Sequence, residues 1–206
     1  MKTVRLLTVC VAAASLGACS LMQPKAGAPP AFYALEAALP SGTAPGPVST
    51  TRATSTLVIS PVRAASGFDS QRIIYVREPH KLEYFAHSEW IDTPARMLGP
   101  LLVASITRTG AFKAVVMTPG SAGGELRLDT EIVRLQHDFR TRPSRVHFTL
   151  RAYLVDEKTR RVLTWREFDG EAAATSDDPY AGVVAANRVV QTVLQEVSQF
   201  LAQRTN

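Results

Sequence analysis

The first twenty residues, MKTVRLLTVCVAAASLGACS, constrain all that follows, because they decide the compartment in which the rest of the chain must fold. Lys2 and Arg5 form a short positive head, and Leu6 to Leu16 an Ala-rich apolar run. A membrane-crossing helix needs about 20 consecutive apolar residues, so this shorter run reads as a secretory signal. Leu16-Gly17-Ala18 then places small residues directly before Cys19.

That run resembles the lipobox of bacterial lipoprotein precursors. The resemblance implies cleavage after Ala18, a thioether-linked diacylglycerol on Cys19, and acylation of the new amino terminus. A thiolate is the side chain nucleophilic enough to take the lipid, and small residues let the backbone enter a peptidase cleft. One acyl chain binds a membrane marginally, each buried methylene adding about 0.8 kcal/mol, so three chains make a lasting anchor. Ser20, rather than Asp, follows the cysteine; by resemblance to Gram-negative sorting signals this favours the periplasmic face of the outer membrane. An ordinary signal carrying an unrelated cysteine is the other reading. The chain is accordingly divided into a signal peptide over 1–18, a lipidated cysteine and tether over 19–30, and a single domain over 31–206.

Removal of Lys2 and Arg5 lowers the formal charge of +5 to about +3. Such a weak excess gives no reason to expect a nucleic-acid partner. Cys10 leaves with the signal and Cys19 is taken by lipid, so no thiol remains for a disulfide or a metal. Residues 21–30, LMQPKAGAPP, are rich in Pro, Ala and Gly and read as a tether.

Within the domain, Ala31 to Leu35 and Thr56 to Ile59 read as short strands separated by a Pro-, Gly- and Ser-rich loop. Gln71 to Arg77 and Lys81 to Phe85 form a hairpin around Glu78-Pro79. Asp92-Thr93-Pro94 is a helix start, because an Asp or Thr oxygen accepts orphan amide hydrogens and Pro at the first position loses no bond. Met97, Leu98, Leu101, Leu102 and Ile106 form the stripe of that helix, with Gly110 read as its C′ residue. Ala111 to Val116 is the next strand. From Glu125 three long antiparallel strands follow, the first with a phase change near Ile132 and the last over Arg161 to Phe168. Asp177-Asp178-Pro179 starts a second helix, Tyr180 to about Ala202, whose apolar face includes Val183, Val190, Val193, Val197 and Leu201. The expected fold is α/β (α+β), a mainly antiparallel mixed sheet covered on one side by two principal helices. Leu98, Leu101 and Leu102 are expected against the sheet face that bears Phe148 and Leu150.

Phe32-Tyr33-Ala34-Leu35, Leu57-Val58-Ile59 before Pro61, Ile74-Tyr75 with Arg77, Leu82-Glu83-Tyr84-Phe85, and Trp90 running into Asp92-Thr93-Pro94-Ala95-Arg96-Met97-Leu98 together resemble the ABC-type transport auxiliary lipoproteins. The resemblance continues through Gly110-Ala111-Phe112 to the terminal helix. It implies an outer-membrane component that works beside mammalian-cell-entry (MCE) domain proteins and an inner-membrane permease in lipid traffic between the two membranes. It also implies a docking role without an ATPase, and a closed ring of identical subunits. A lipoprotein scaffold or activator for cell-wall or outer-membrane assembly is the alternative, and an envelope hydrolase a third reading.

The residues themselves offer no enzyme. The chain has no phosphate-binding Gly loop with its Lys, no G-x-S-x-G elbow and no H-E-x-x-H, so neither catalytic residue, metal nor cofactor is assigned. His80 and His87 read as surface or turn residues. His137 and His147 could face each other across a hairpin, a weak zinc case without a further ligand. Asp177 and Asp178 suit helix capping better than calcium. Tyr84, Phe85 and Trp90 suit either a core edge or a contact surface, since Tyr and Trp combine apolar area with a polar handle. Arg140, Arg142 and Arg145 form the densest basic cluster, either a solvated loop or a contact with lipid headgroups or an acidic partner. Tyr84, Phe85, Trp90 and these arginines are the candidate partner or oligomer contact, and Asp92, Thr93 and Pro94 the structural cap.

Overall fold

The strand over which the molecule is built is β7, Leu126–Asp138, thirteen residues long. The computed structural model describes residues 29–36, 54–120 and 123–204. The signal, Cys19 and most of the tether lie outside the described residues. One edge of β7 pairs along nearly its whole length with β8, Arg145–Asp156, which pairs in turn with β9, Val162–Ala173, both antiparallel. Its other edge is shared by three short parallel partners in succession: β2, Thr56–Ile59; β3, Arg63–Ala64; and β4, Arg72–Glu78. Beyond β2 lies β6, Ala114–Met117, again parallel. Beyond β4 lie its antiparallel hairpin partner β5, Lys81–Trp90, and then β1, Ala31–Tyr33, parallel to β5. The sheet is thus mixed, and its long ladders are antiparallel.

The register shift between Ile132 and Arg134 is the physical form of the expected phase change. Before it Leu128, Thr130 and Ile132 face the core, and after it Leu135 and His137 do. One extra residue at Val133 flips the phase, so both halves bury their apolar set.

Helix α1, Pro94–Thr107, starts as read: the Thr93 side chain accepts from the Arg96 amide, and Asp92 instead accepts from the amide of Thr93. Its last turn ends at Arg108, so Gly110, with φ of 64°, lies one residue beyond the expected C′ position. Helix α2, Pro179–Ala202, is capped by Asp178, which accepts from the Ala181 amide at 2.9 Å. Every apolar position expected on α2 is buried.

The two helices cover one side of the sheet and divide it between them, Leu98 and Leu102 sharing one core with Phe148 and Leu150. It is α2 that lies over β8 and β9, and hence over Phe148 and Leu150, whereas α1 lies over β6 and beside α2. Gly170 on β9 permits the close approach of α2, since a Cβ there would meet the methyls of Val189 and Val193 at 2.9 Å. Leu98 and Leu102 are fully buried, but Leu101 is only half-buried, facing a groove between the helices. Ser105 and Ser198 join the helices at the floor of that groove, 2.8 Å apart.

Candidate functional site

The ends of β4, β5 and β7 bring part of the expected contact set together. β4 and β5 join through Pro79-His80, with His80 at φ of 65° in the left-handed region. Arg77 and Glu83 lock the hairpin across its strands through two bonds, 2.5 and 2.9 Å long. That pairing raises the Arg77 pKa and holds the Glu83 carboxyl below its ordinary value. Tyr75 packs on Phe85 at 4.6 Å between ring centroids, and Phe139 meets both rings edge-on. Phe85 is therefore mainly a packing residue, partly buried against the core. Tyr84 points the other way and is half exposed, with the Arg72 guanidinium 4.3 Å from its ring centre.

Trp90 is a correction. Its side chain is 3% exposed, in the core beside Ile73, Ile74 and Gly182. The contact surface expected around Trp90 does not contain it in the folded chain. Its ring fills the space where α2 crosses the sheet, and apolar area outweighs the polar handle there.

The basic cluster is also mostly committed internally. Arg140 grips Asp138 with its amide and guanidinium, at 2.5 to 3.1 Å, and Asp138 is buried. These bonds hold the Asp138 carboxyl well below its ordinary pKa, and His147, 3.7 Å away, adds to the effect. Arg145 pairs with Glu171 at 2.6 Å. Arg142 is exposed and makes no ion pair among the described residues. A net positive contact at this loop therefore rests on Arg142.

His137 and His147 do not meet. His147 stands opposite Gln136 and His137 opposite Val146, so the two imidazoles project to opposite faces of the sheet. No group of three or more His, Cys, Asp or Glu among the described residues is placed to hold a metal ion. His137 is instead a buried ring, 2% exposed, whose Nε2 bonds Ser144 Oγ at 2.9 Å while Nδ1 has no partner. Burial lowers its pKa, against the opposing charges of Asp177, Asp178 and Asp138. Sequence reasoning weighed His137 only as half of a weak zinc pair; the phase change near Ile132 was the signal that turns it inward as a lone buried ring.

The sheet face away from the helices is a field of ion pairs. Arg151 bridges Glu131 and Glu167, Arg134 meets Asp169, and Arg127 joins Asp129 to Glu157. Most of their members are half-buried rather than exposed, and together they make this face hydrophilic. The groove between α1 and α2 measures about 380 Å³, is open to solvent, and is lined by Leu101 and Leu194 together with Ser105, Arg108, Gln191 and Gln195. The space beside His137 is about 10 Å³. Neither offers the apolar enclosure that a lipid tail needs. No described helix is long and apolar enough to cross a membrane.

This architecture recurs in solved structures. A crystal structure of a protein from Xanthomonas campestris is 21% identical, covers 74% of this chain and 87% of its own, and superposes with a TM-score of 0.67. A crystal structure of an uncharacterized protein, 13% identical over 87% of this chain and all of its own, has a TM-score of 0.62. At these identities the likeness shows the fold alone. No curated protein matches the chain. The family model described as the ABC-type transport auxiliary lipoprotein component matches residues 33–198, from the end of β1 to the last turns of α2. With most of the described domain inside that match, the chain belongs to the family of ABC-type transport auxiliary lipoprotein components.

Proposed function

We propose that this auxiliary component is held at the outer membrane by a lipid on Cys19 and docks an MCE-domain protein of an intermembrane lipid transport system. The observation that carries the reading is the family match over residues 33–198. The small residues before Cys19 support the anchor. The interhelical groove is open to solvent rather than enclosed, which supports a role in docking rather than in holding a lipid within one copy. Any lipid conduit then has to be assembled from several copies, as in a closed ring, or from the MCE partner. The inner-membrane permease of the same system completes the complex. Tyr84, Arg140 and Arg142 are the exposed members of the contact set, Arg140 being held by Asp138 and the Tyr84 ring covered by Arg72, and they combine an aromatic anchor with positive charge.

Purification of the tagged lipoprotein from solubilised envelopes, with mass spectrometry of the co-purifying chains, tests the reading. An MCE-domain protein should be recovered, and recovery should fall for Tyr84→Ala combined with Arg142→Ala while the variant stays folded. Repeated recovery of a cell-wall synthase without any MCE-domain protein would replace this reading with the scaffold alternative.

A further inference from the structure

Strand β1 is the outermost strand on its side of the sheet, and it begins directly after Pro30. Around it stand three large apolar side chains facing solvent: Phe32, 58% exposed; Ile91, 61%; and Tyr180, 65%. Tyr33 links two of them, while Phe32, the residue before it in the strand, projects to the other face of the same edge. The Ile91 amide donates to Tyr33 O at 2.7 Å, and the Tyr33 ring lies 6.4 Å from that of Tyr180. Asn187, two turns along α2 from Tyr180, donates to Ala34 O at 3.1 Å, so the start of α2 runs beside the chain leaving β1. Val184 and Arg188 continue the Tyr180 stripe at four-residue steps, both exposed. Single exposed apolar residues are ordinary, whereas several large ones gathered at one edge of a sheet mark a contact.

A second exposed apolar group, Val162, Leu163 and Trp165, lies on β9 at the opposite edge of the sheet. The lipid end of the chain separates the two. The twelve residues from Cys19 to Pro30 reach at most about 40 Å when fully extended. On the reading that Cys19 is acylated, the bilayer surface therefore lies within that distance of β1. Tyr suits the headgroup level, where one end of its ring is apolar and the other wet, Phe and Ile suit the acyl boundary just beneath it, and a cation such as Arg188 suits lipid phosphate. A tethered surface also needs little affinity of its own, because the anchor sets a high local concentration.

We propose that the β1 edge, with Phe32, Ile91 and Tyr180, rests in the headgroup layer of the membrane that holds the anchor, turning the β9 edge away from the bilayer. The proposal rests on the anchoring reading, and its test separates the two. The mature chain has no free thiol once Cys19 carries lipid, so Tyr180→Cys or Leu163→Cys gives a single site for a polarity-sensitive dye. The lipidated protein is reconstituted in vesicles of phosphatidylethanolamine and phosphatidylglycerol. Flotation is scored in the same sample as dye emission and its quenching by headgroup-labelled lipid.

The expected result is that both proteins float, and that the dye at 180 is blue-shifted and quenched several-fold more than the dye at 163. Floating protein with equal response from the two dyes overturns the membrane seat and leaves the anchor standing. A shift at 180 that vanishes when copies are diluted to one per vesicle assigns the edge to a second copy, which also overturns it. Protein that fails to float removes the anchor and the seat together.

Discussion

Gly182 lies against His137 so closely that a Cβ on Gly182 would come within 2.5 Å of His137 Nδ1. The ring cannot step aside, because Ser144 holds Nε2 and Phe139 lies 4.1 Å away, centroid to centroid. The first turn of α2 is thus seated on a buried imidazole. Gly182→Ala should destabilise the protein by about 1–3 kcal/mol through overpacking, even though Ala is favoured over Gly within a helix by about 1 kcal/mol. Urea unfolding measures the difference, and a gain in stability would show that the contact yields.

Burial depresses the His137 pKa below its ordinary value of 6.5. The unfolded chain therefore binds this proton more readily than the folded one, and the sign follows. Its contribution to stability is fully present above about pH 6.5 and declines as pH falls from there toward the folded-state pKa, by at most about 1.4 kcal/mol per pH unit. The carboxylates of Asp138 and Asp178, whose pKa values are lowered by their bonds, lose their contributions only in more acid solution. Unfolding titrations between pH 7 and 5 should show a slope in the wild type that is reduced in His137→Gln. Equal slopes would assign the dependence to other groups.

Leu102→Ala should cost about 2–5 kcal/mol, the range for emptying a fully buried leucine site. Leu101→Ala should cost clearly less, because that side chain opens onto the interhelical groove. Thermal or urea unfolding of the two variants under one condition gives the ordering, and equal losses would place Leu101 in the core after all.

How much could be read beforehand depended on whether the deciding physics was local. The caps at Thr93 and Asp178 and the inward turn after Ile132 were legible, because a hydroxyl, a proline or a slip in alternation acts within a few residues. The parallel placement of β2, β3 and β4 along one edge of β7 was not, since short apolar runs carry no mark of their neighbour. The same limit left the strands nearest α1 unread, because an apolar stripe says that a helix covers something without saying which strands. Trp90 and Arg140 failed for a further reason: tryptophan suits core and surface equally, and an arginine looks free until the buried Asp138 two residues away is found to need it.

Cys19→Ser should abolish incorporation of labelled fatty acid and remove the protein from the outer-membrane fraction, either as soluble protein or as uncleaved precursor. The lipobox-like run before Cys19 is the basis of that expectation. Unchanged labelling and fractionation of the variant would reject the anchor.

Docking of a transport partner is tested most directly by a photo-crosslinking amino acid at Tyr84, the exposed aromatic residue of the contact set, in the full-length lipoprotein within intact envelopes. Mass spectrometry then identifies the chain bound to it. The expected result is an adduct with an MCE-domain protein, absent when the crosslinker replaces the buried Trp90 in a folded variant. Adducts formed only with a cell-wall synthase or an outer-membrane assembly protein would contradict it.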